Sequence, residues 1–229
     1  MIRFDFRAII ADQTRVIMSS ETSQAKPKPK ASGKRADAQR NLDRLLRTAL
    51  EVFAKSGVDA PVREIAEKAG VGIGTLYRHF PQRSDLVAAV FRNEVDDCAK
   101  AGPELAAQHS AGEALVRWIE RYVEFIVTKR GLATALNSGD PAFKSLPDYF
   151  LQQLRPVVQR LLDAAVASGE IRTGVEPDDL LYAVSGLCTP PGCTTPADAW
   201  RMVALFVDGL RYGAAVTSTE TAQPTPTES

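Results

Sequence analysis

The stretch "VGIGTLYRHFPQRSDL", from Val71 to Leu86, gathers Thr75, Tyr77, Arg78 and His79 into about one helical turn. Each of these side chains donates hydrogen bonds, and Arg78 carries a fixed positive charge. Val71, Leu76 and Phe80 are the residues able to turn inward, which leaves the polar set on the outer and end faces of a short helix. Hydroxyl, phenol, imidazole and guanidinium groups suit phosphate oxygens, and Ile73 and the Tyr77 ring suit a thymine methyl. The start of the helix, Ile73–Gly74–Thr75, offers backbone N–H groups and a partial positive charge, both favourable to phosphate. Arg63 ahead of the stretch and Arg83 within it complete a compact set facing a major groove.

The elements that must position this set are helices. Leu42, Leu45, Leu46, Ala49, Leu50 and Phe53 recur at helical spacing, and Gly57 suits a left-handed stop. A short helix starts near Pro61, buries Ile65, Ala66 and Ala69, and closes at Gly70. The stretch from Val71 follows with about seven helical residues before Pro81. Ser84 caps a fourth helix, with Asp85 in its first turn, and "AGP" at 101–103 ends it. Two short helices joined by a Gly-containing turn make a helix-turn-helix.

The rest is also helical. Ser110 and Glu113 have capping-box spacing and open a helix with Leu115, Trp118, Ile119, Tyr122, Val123 and Ile126 on one face. "NSGDP" at 137–141 is a loop. A long pattern runs from Leu146 to Ser168, with Pro156 either kinking it or starting a second segment. Two last helices span about Pro177 to Cys188 and run on from Thr195. No strand pattern or internal repeat is evident, so the fold class is all-α.

The formal net charge is zero, but it is unevenly spread. Met18 to Arg83 holds thirteen Lys or Arg against seven Asp or Glu; Ser84 to Ser229 holds twelve against nineteen. A basic front on an acidic body fits one end meeting a polyanion. No apolar run nears the roughly 18 residues a membrane span needs. "MIRFDFRAII" lacks the unbroken apolar core of a secretory signal, so the expected location is the cytoplasm. Met18 and Met1 are both candidate starts, with 1–17 not necessarily native. Cys98, Cys188 and Cys193 are odd in number and have no metal-ligand spacing, so neither a disulfide framework nor a metal or cofactor site is expected. Neither a carboxylate pair nor a nucleophile–base couple supports an enzyme.

"PVREIAEKAGVGIGTLYRHFPQRSDL" resembles the DNA-binding signature of the TetR family of bacterial transcriptional regulators, with similarity from about Leu42 to Val90. "ASGEIRTGVEPDDL" resembles a phrase common in its actinobacterial-type members. The resemblance implies a three-helix DNA-binding head on a helical ligand-binding and dimerisation body. By position, Arg63 would reach a base edge or phosphate; Ile73, Gly74 and Thr75 would lie nearest the groove floor. Tyr77 and His79, with Arg78 beside them, would clamp the backbone, and Arg83 would hold a phosphate. Two departures stand out: Pro61 and Gly72 occupy places where many members have a capping hydroxyl.

The expected organisation is a flexible basic arm over 1–36, a head over 37–83, a body over 84–215 with a connecting helix at 84–101, and a disordered tail over 216–229. Lys34 and Arg35 of the arm are candidates for an adjacent minor groove. "MVALFV" at 202–207 is apolar all round, so it needs burial on every side. Leu181, Val184, Trp200, Val203, Phe206 and Leu210 therefore form the expected homodimer interface. Trp118, Tyr122, Phe125, Phe143, Tyr149 and Phe150 are the candidate lining of an effector cavity. The expectation is a dimeric, ligand-responsive repressor released from a palindromic double-stranded operator by an unknown small molecule. Its alternatives are a dimeric DNA-binding protein without an effector and a small helical enzyme.

Overall fold

The structure, a computed structural model, describes residues 32–189 and 195–212, with side chains from residue 39 onward apart from 130, 131, 133, 134 and 196. The alternative starts Met1 and Met18, most of the arm, Cys193 and the tail from 213 lie outside the described residues. The fold is all-α. Its helices are α1 (Ser32–Ser56), α2 (Val62–Ala69), α3 (Ile73–His79), α4 (Arg83–Gln108), α5 (Ala111–Thr128), α6 (Ala133–Leu136), α7 (Leu146–Ala167), α8 (Pro177–Leu187) and α9 (Pro196–Tyr212). Short 3-10 turns at Lys129–Leu132 and Pro141–Phe143 flank α6 and the loop after it.

Several helix ends follow directly from residue chemistry. Gly57 and Gly70 adopt φ of 76° and 65°, the left-handed conformation that only glycine takes without strain. The Gly70 N–H returns to the Glu67 carbonyl and the Val71 N–H to that of Ala66, closing α2. At α9, Thr195 Oγ1 accepts from the Asp198 N–H while the Asp198 carboxylate accepts from the Thr195 N–H, a reciprocal cap.

Other ends differ from the sequence reading. α1 begins at Ser32, inside the span read as arm. α4 does not stop at "AGP" but runs through Pro103 to Gln108. Gly102 there is a packing residue: a Cβ on it would meet Val157 Cγ1 at 2.2 Å, so only a bare backbone fits against α7. α7 likewise continues unbroken through Pro156. At α5, Ser110 Oγ accepts from the Glu113 N–H, but the Glu113 carboxylate pairs with Arg117 instead of returning to the cap. Glu170 stands in, its side chain accepting from Ser110 Oγ at 3.1 Å, from Ser168 Oγ at 2.9 Å and from the Gly112 N–H.

The described chain divides into two compact units. The first comprises residues up to Ala99 together with Glu124–Leu154. In it α1 packs on α2 and on the Lys129–Leu132 turn, and α2 packs on α3. Leu45, Ala49, Val52, Phe53, Ile65 and Leu76 are buried there. Around Phe125 the rings of Phe91 and Phe150 stand at 5.8 and 6.1 Å between centroids. The second unit comprises Lys100–Val123 and the chain from Arg155. Trp118 stacks on Tyr122 at 5.4 Å, and the Tyr122 hydroxyl donates to the Leu181 carbonyl at 3.2 Å. A buried phenol needs such a partner, because an unpaired one costs about 1–3 kcal/mol. α8 packs on α9, and Arg155 grips Asp178 through two parallel 2.8 Å bonds.

Candidate nucleic-acid interface

α3 is held by very little of its own surface. Of its seven residues only Leu76 is buried, at 1% exposure, and Phe80 just beyond it anchors the C-terminal end. The helix starts at Gly72, whose carbonyl accepts from the N–H groups of Thr75 and Leu76 at 2.9 and 3.1 Å. No side chain caps it, and none caps α2 at Pro61. Both ends therefore present bare backbone.

Everything else on α3 is exposed: Ile73, Gly74, Thr75, Tyr77, Arg78 and His79. Tyr77 and Ile73 stand out because large side chains of this kind normally bury, yet they are 51% and 36% exposed. Arg63 is exposed on α2, the helix against which α3 packs. Together they make a surface of hydrogen-bond donors and cations around two apolar contacts, the mixture that reads a DNA groove.

Arg83 is half-buried at the start of α4. Its guanidinium Nη1 donates to the Val58 carbonyl and, at 2.7 Å, to the Ala60 carbonyl. These carbonyls belong to the α1–α2 connection, so Arg83 ties the start of α4 to the loop that sets the angle of α2. Just before it, the Asp85 carboxylate accepts from the Gln82 N–H at 2.9 Å and fixes the turn out of α3. Lys34 and Arg35 fall in the first turn of α1, ahead of the described side chains.

The other candidate sets are placed as follows. Trp118 and Tyr122 lie in the second unit, and Phe125, Phe143, Tyr149 and Phe150 in the first. All are buried except Tyr149, which is half-buried. The Tyr149 hydroxyl donates to Asp96 at 2.5 Å, and Arg92 lies over its ring at 5.8 Å. Burial first, then the bond to the Asp96 carboxylate, pushes its pKa up to about 12. None of these six lines the cavity of about 420 Å³ in the second unit, which is walled by alanines of α4, α5 and α7, Val157 and Leu161, with His109 and Arg160 among its polar groups.

Of the expected interface residues, Leu181, Val184, Val203 and Leu210 are buried within the chain, and Trp200 and Phe206 are half-buried. The large apolar residues that α9 leaves bare are Leu205 and Tyr212, 75% and 86% exposed. The run 202–207 is thus not covered on every side by its own chain. Among the described residues there is no cluster of His, Cys, Asp and Glu able to hold a metal, and no helix long and apolar enough to cross a membrane.

Comparison with known proteins places this surface in context. Residues 45–90 match the profile of bacterial regulatory proteins of the tetR family, and residues 110–212 match that of the C-terminal domain of SbtR-like transcriptional regulators. A solved TetR transcriptional regulator from Streptomyces coelicolor is 36% identical, with 74% of this chain and 97% of that chain covered and a TM-score of 0.62. One from Mycobacterium vanbaalenii is 34% identical over 78% and 99%, with a TM-score of 0.61. An HTH-type transcriptional regulator of Staphylococcus aureus is 28% identical over 153 residues, 66% of this chain and 81% of its own.

Proposed function

The chain belongs to the TetR family of bacterial transcriptional regulators, and from that premise we propose that it acts as a dimeric repressor that releases a palindromic operator when a small molecule binds its body. Regulators of this family are DNA-binding proteins and not enzymes, and they bind DNA as dimers. The observation that carries the reading is α3: one buried residue beneath a face made of Ile73, Thr75, Tyr77, Arg78 and His79. In this reading Thr75 and Gly74 meet the groove floor, while Tyr77, His79 and Arg63 clamp the flanking phosphates. Lys34 and Arg35 reach an adjacent minor groove.

Dimerisation is supported by the bare apolar residues of α9. Leu205 and Tyr212 join half-buried Trp200 and Phe206 on a helix packed against α8, whose Gly186, like Gly209 of α9, has open space where a Cβ would stand. The buried Leu181, Val184, Val203 and Leu210 form the floor beneath that surface. Two copies joined there would carry two recognition helices to successive major grooves, about 34–36 Å apart.

An effector is supported by the cavity in the second unit, whose volume of about 420 Å³ lies in the range of small-molecule sites. Its walls favour an apolar compound. Five of the six aromatic rings from Trp118 to Phe150 are buried and several stack on one another, so they offer such a molecule no open wall. A coupling of about 1–3 kcal/mol would shift operator affinity five- to 150-fold.

Selection of bound duplexes from a random pool is the deciding test. A palindrome with half-sites one or more helical turns apart is expected. A single unpaired half-site, or no enrichment, would defeat the dimeric operator reading.

A further inference from the structure

Three of the four arginines of α1, Arg40, Arg44 and Arg47, are spaced to share one helical face, while Arg35 lies in its first turn. The match to the family profile begins at residue 45, just after Arg40 and Arg44. All three are exposed, and they share a shallow polar surface with Asn41, Thr48 and Glu51, which leaves a surplus of two positive charges. Two of them do little for the fold. Arg44 bonds the side-chain oxygen of Asn41, at 3.2 Å, and Arg47 the Asp43 carbonyl, at 3.4 Å. Both partners are neutral and lie on the same helix, so neither guanidinium is held in an ion pair among the described residues.

Position gives that charge a purpose. Nη2 of Arg44 lies 4.0 Å from where a Cβ on Gly70 would stand. Gly70 is the left-handed stop of α2, two residues before the Gly72 that starts α3. Arg44 therefore flanks the turn that leads into α3, with Arg40 and Arg47 about one helical turn to either side of it along α1. A duplex docked on α3 has its phosphate strands on either side of the groove, and a guanidinium fork matches phosphate geometry.

We propose that Arg44 and Arg47, with Arg40 extending the row, grip the phosphate backbone beside the groove that α3 reads. The proposal rests on the DNA-binding reading above and adds a second, sequence-independent surface to it. Such contacts set register and affinity but carry no base information.

The test compares the full chain with an Arg44→Gln/Arg47→Gln double variant on a random-sequence duplex, by fluorescence anisotropy between about 50 and 200 mM salt. The variant is expected to bind more weakly at low salt. Its plot of log affinity against log salt should be shallower by about 0.9 for each phosphate that the variant no longer neutralises. Both changes should recur equally on a duplex selected from a random pool, and an Arg44→Lys/Arg47→Lys variant should recover most of the slope. An unchanged slope in the Gln variant, with circular dichroism identical to the parent, overturns the proposal; so does weakening confined to the selected duplex. Should the parent itself show no salt-dependent binding, the DNA-binding reading fails first, and the two failures are told apart.

Discussion

Tyr77 on α3 and Tyr122 on α5 are the same residue put to opposite uses. Tyr77 is 51% exposed, on a helix of seven residues with one buried anchor. Tyr122 is fully buried, stacked on Trp118, with its hydroxyl on a backbone carbonyl. α5 is accounted for by this chain alone: each large apolar residue on its inner face has been removed from water. α3 is not. Six of its seven residues are exposed, and the contrast separates residues that the packing of this chain accounts for from residues that it does not.

The hardest blow to the comparison comes from the folded side. Trp118→Ala should cost about 3–5 kcal/mol, because it empties a fully buried site. Thermal melting should fall by several degrees, while DNA affinity measured well below the melting point stays near that of the parent. Loss of DNA binding by a folded Trp118→Ala protein would break the division. Arg83 sharpens the boundary, since it sits beside the recognition surface yet bonds inward. Arg83→Met removes two charge-assisted bonds to Val58 and Ala60, with an expected loss of about 2 kcal/mol seen in denaturant unfolding. A purely phosphate-binding arginine would instead leave stability untouched and flatten the salt dependence of DNA binding.

Tyr77→Ala is the mirror image. Stability should stay within about 0.5 kcal/mol of the parent, as expected for an exposed position. Operator affinity should drop on the order of tenfold, from removal of one hydrogen bond in each subunit. Calorimetric melting and anisotropy titration on the same preparation check both halves. Equal affinity would remove Tyr77 from the interface and leave its exposure unexplained.

Much of this was readable in the chain because local chemistry decides it. Gly57 and Gly70 mark helix ends by their own conformational needs, and "VGIGTLYRHF" announces a surface too polar for a core. What was not readable depends on distant partners. "AGP" reads as a stop until Val157 is found against Gly102, which makes the glycine a packing site within a continuing helix. Nothing in the spacing shows that the carbonyls of Val58 and Ala60 lie within reach of Arg83. The run at 202–207 looks uniformly apolar, but a lone helix edge buries only Val203 and Val207 and leaves Leu205 bare. Where the ordering force is local, sequence suffices; where it is tertiary, residue type gives the capacity and not the partner.

The smallest expected effect belongs to Glu170, a surface residue that nevertheless serves the fold. The Gly112 N–H first, then the Ser168 and Ser110 hydroxyls and the Arg211 charge, hold its carboxyl below the ordinary value of 4.5, with burial opposing them. A carboxylate whose folded pKa is depressed stabilises the native state above its unfolded pKa, and that contribution fades as pH falls through the folded value. Glu170→Gln should therefore melt slightly below the parent at neutral pH, and the two melting curves should converge under acid conditions. Because a Cβ on Gly112 would meet Glu170 Oε2 at 2.5 Å, Gly112→Ala should displace the same carboxylate and reproduce the loss. DNA affinity should be unchanged in both variants. A parent and a Gln variant whose melting temperatures stay equally far apart from neutral to acid pH would mean that the charge contributes nothing, and that Glu170 merely fills the space beside the α5 cap.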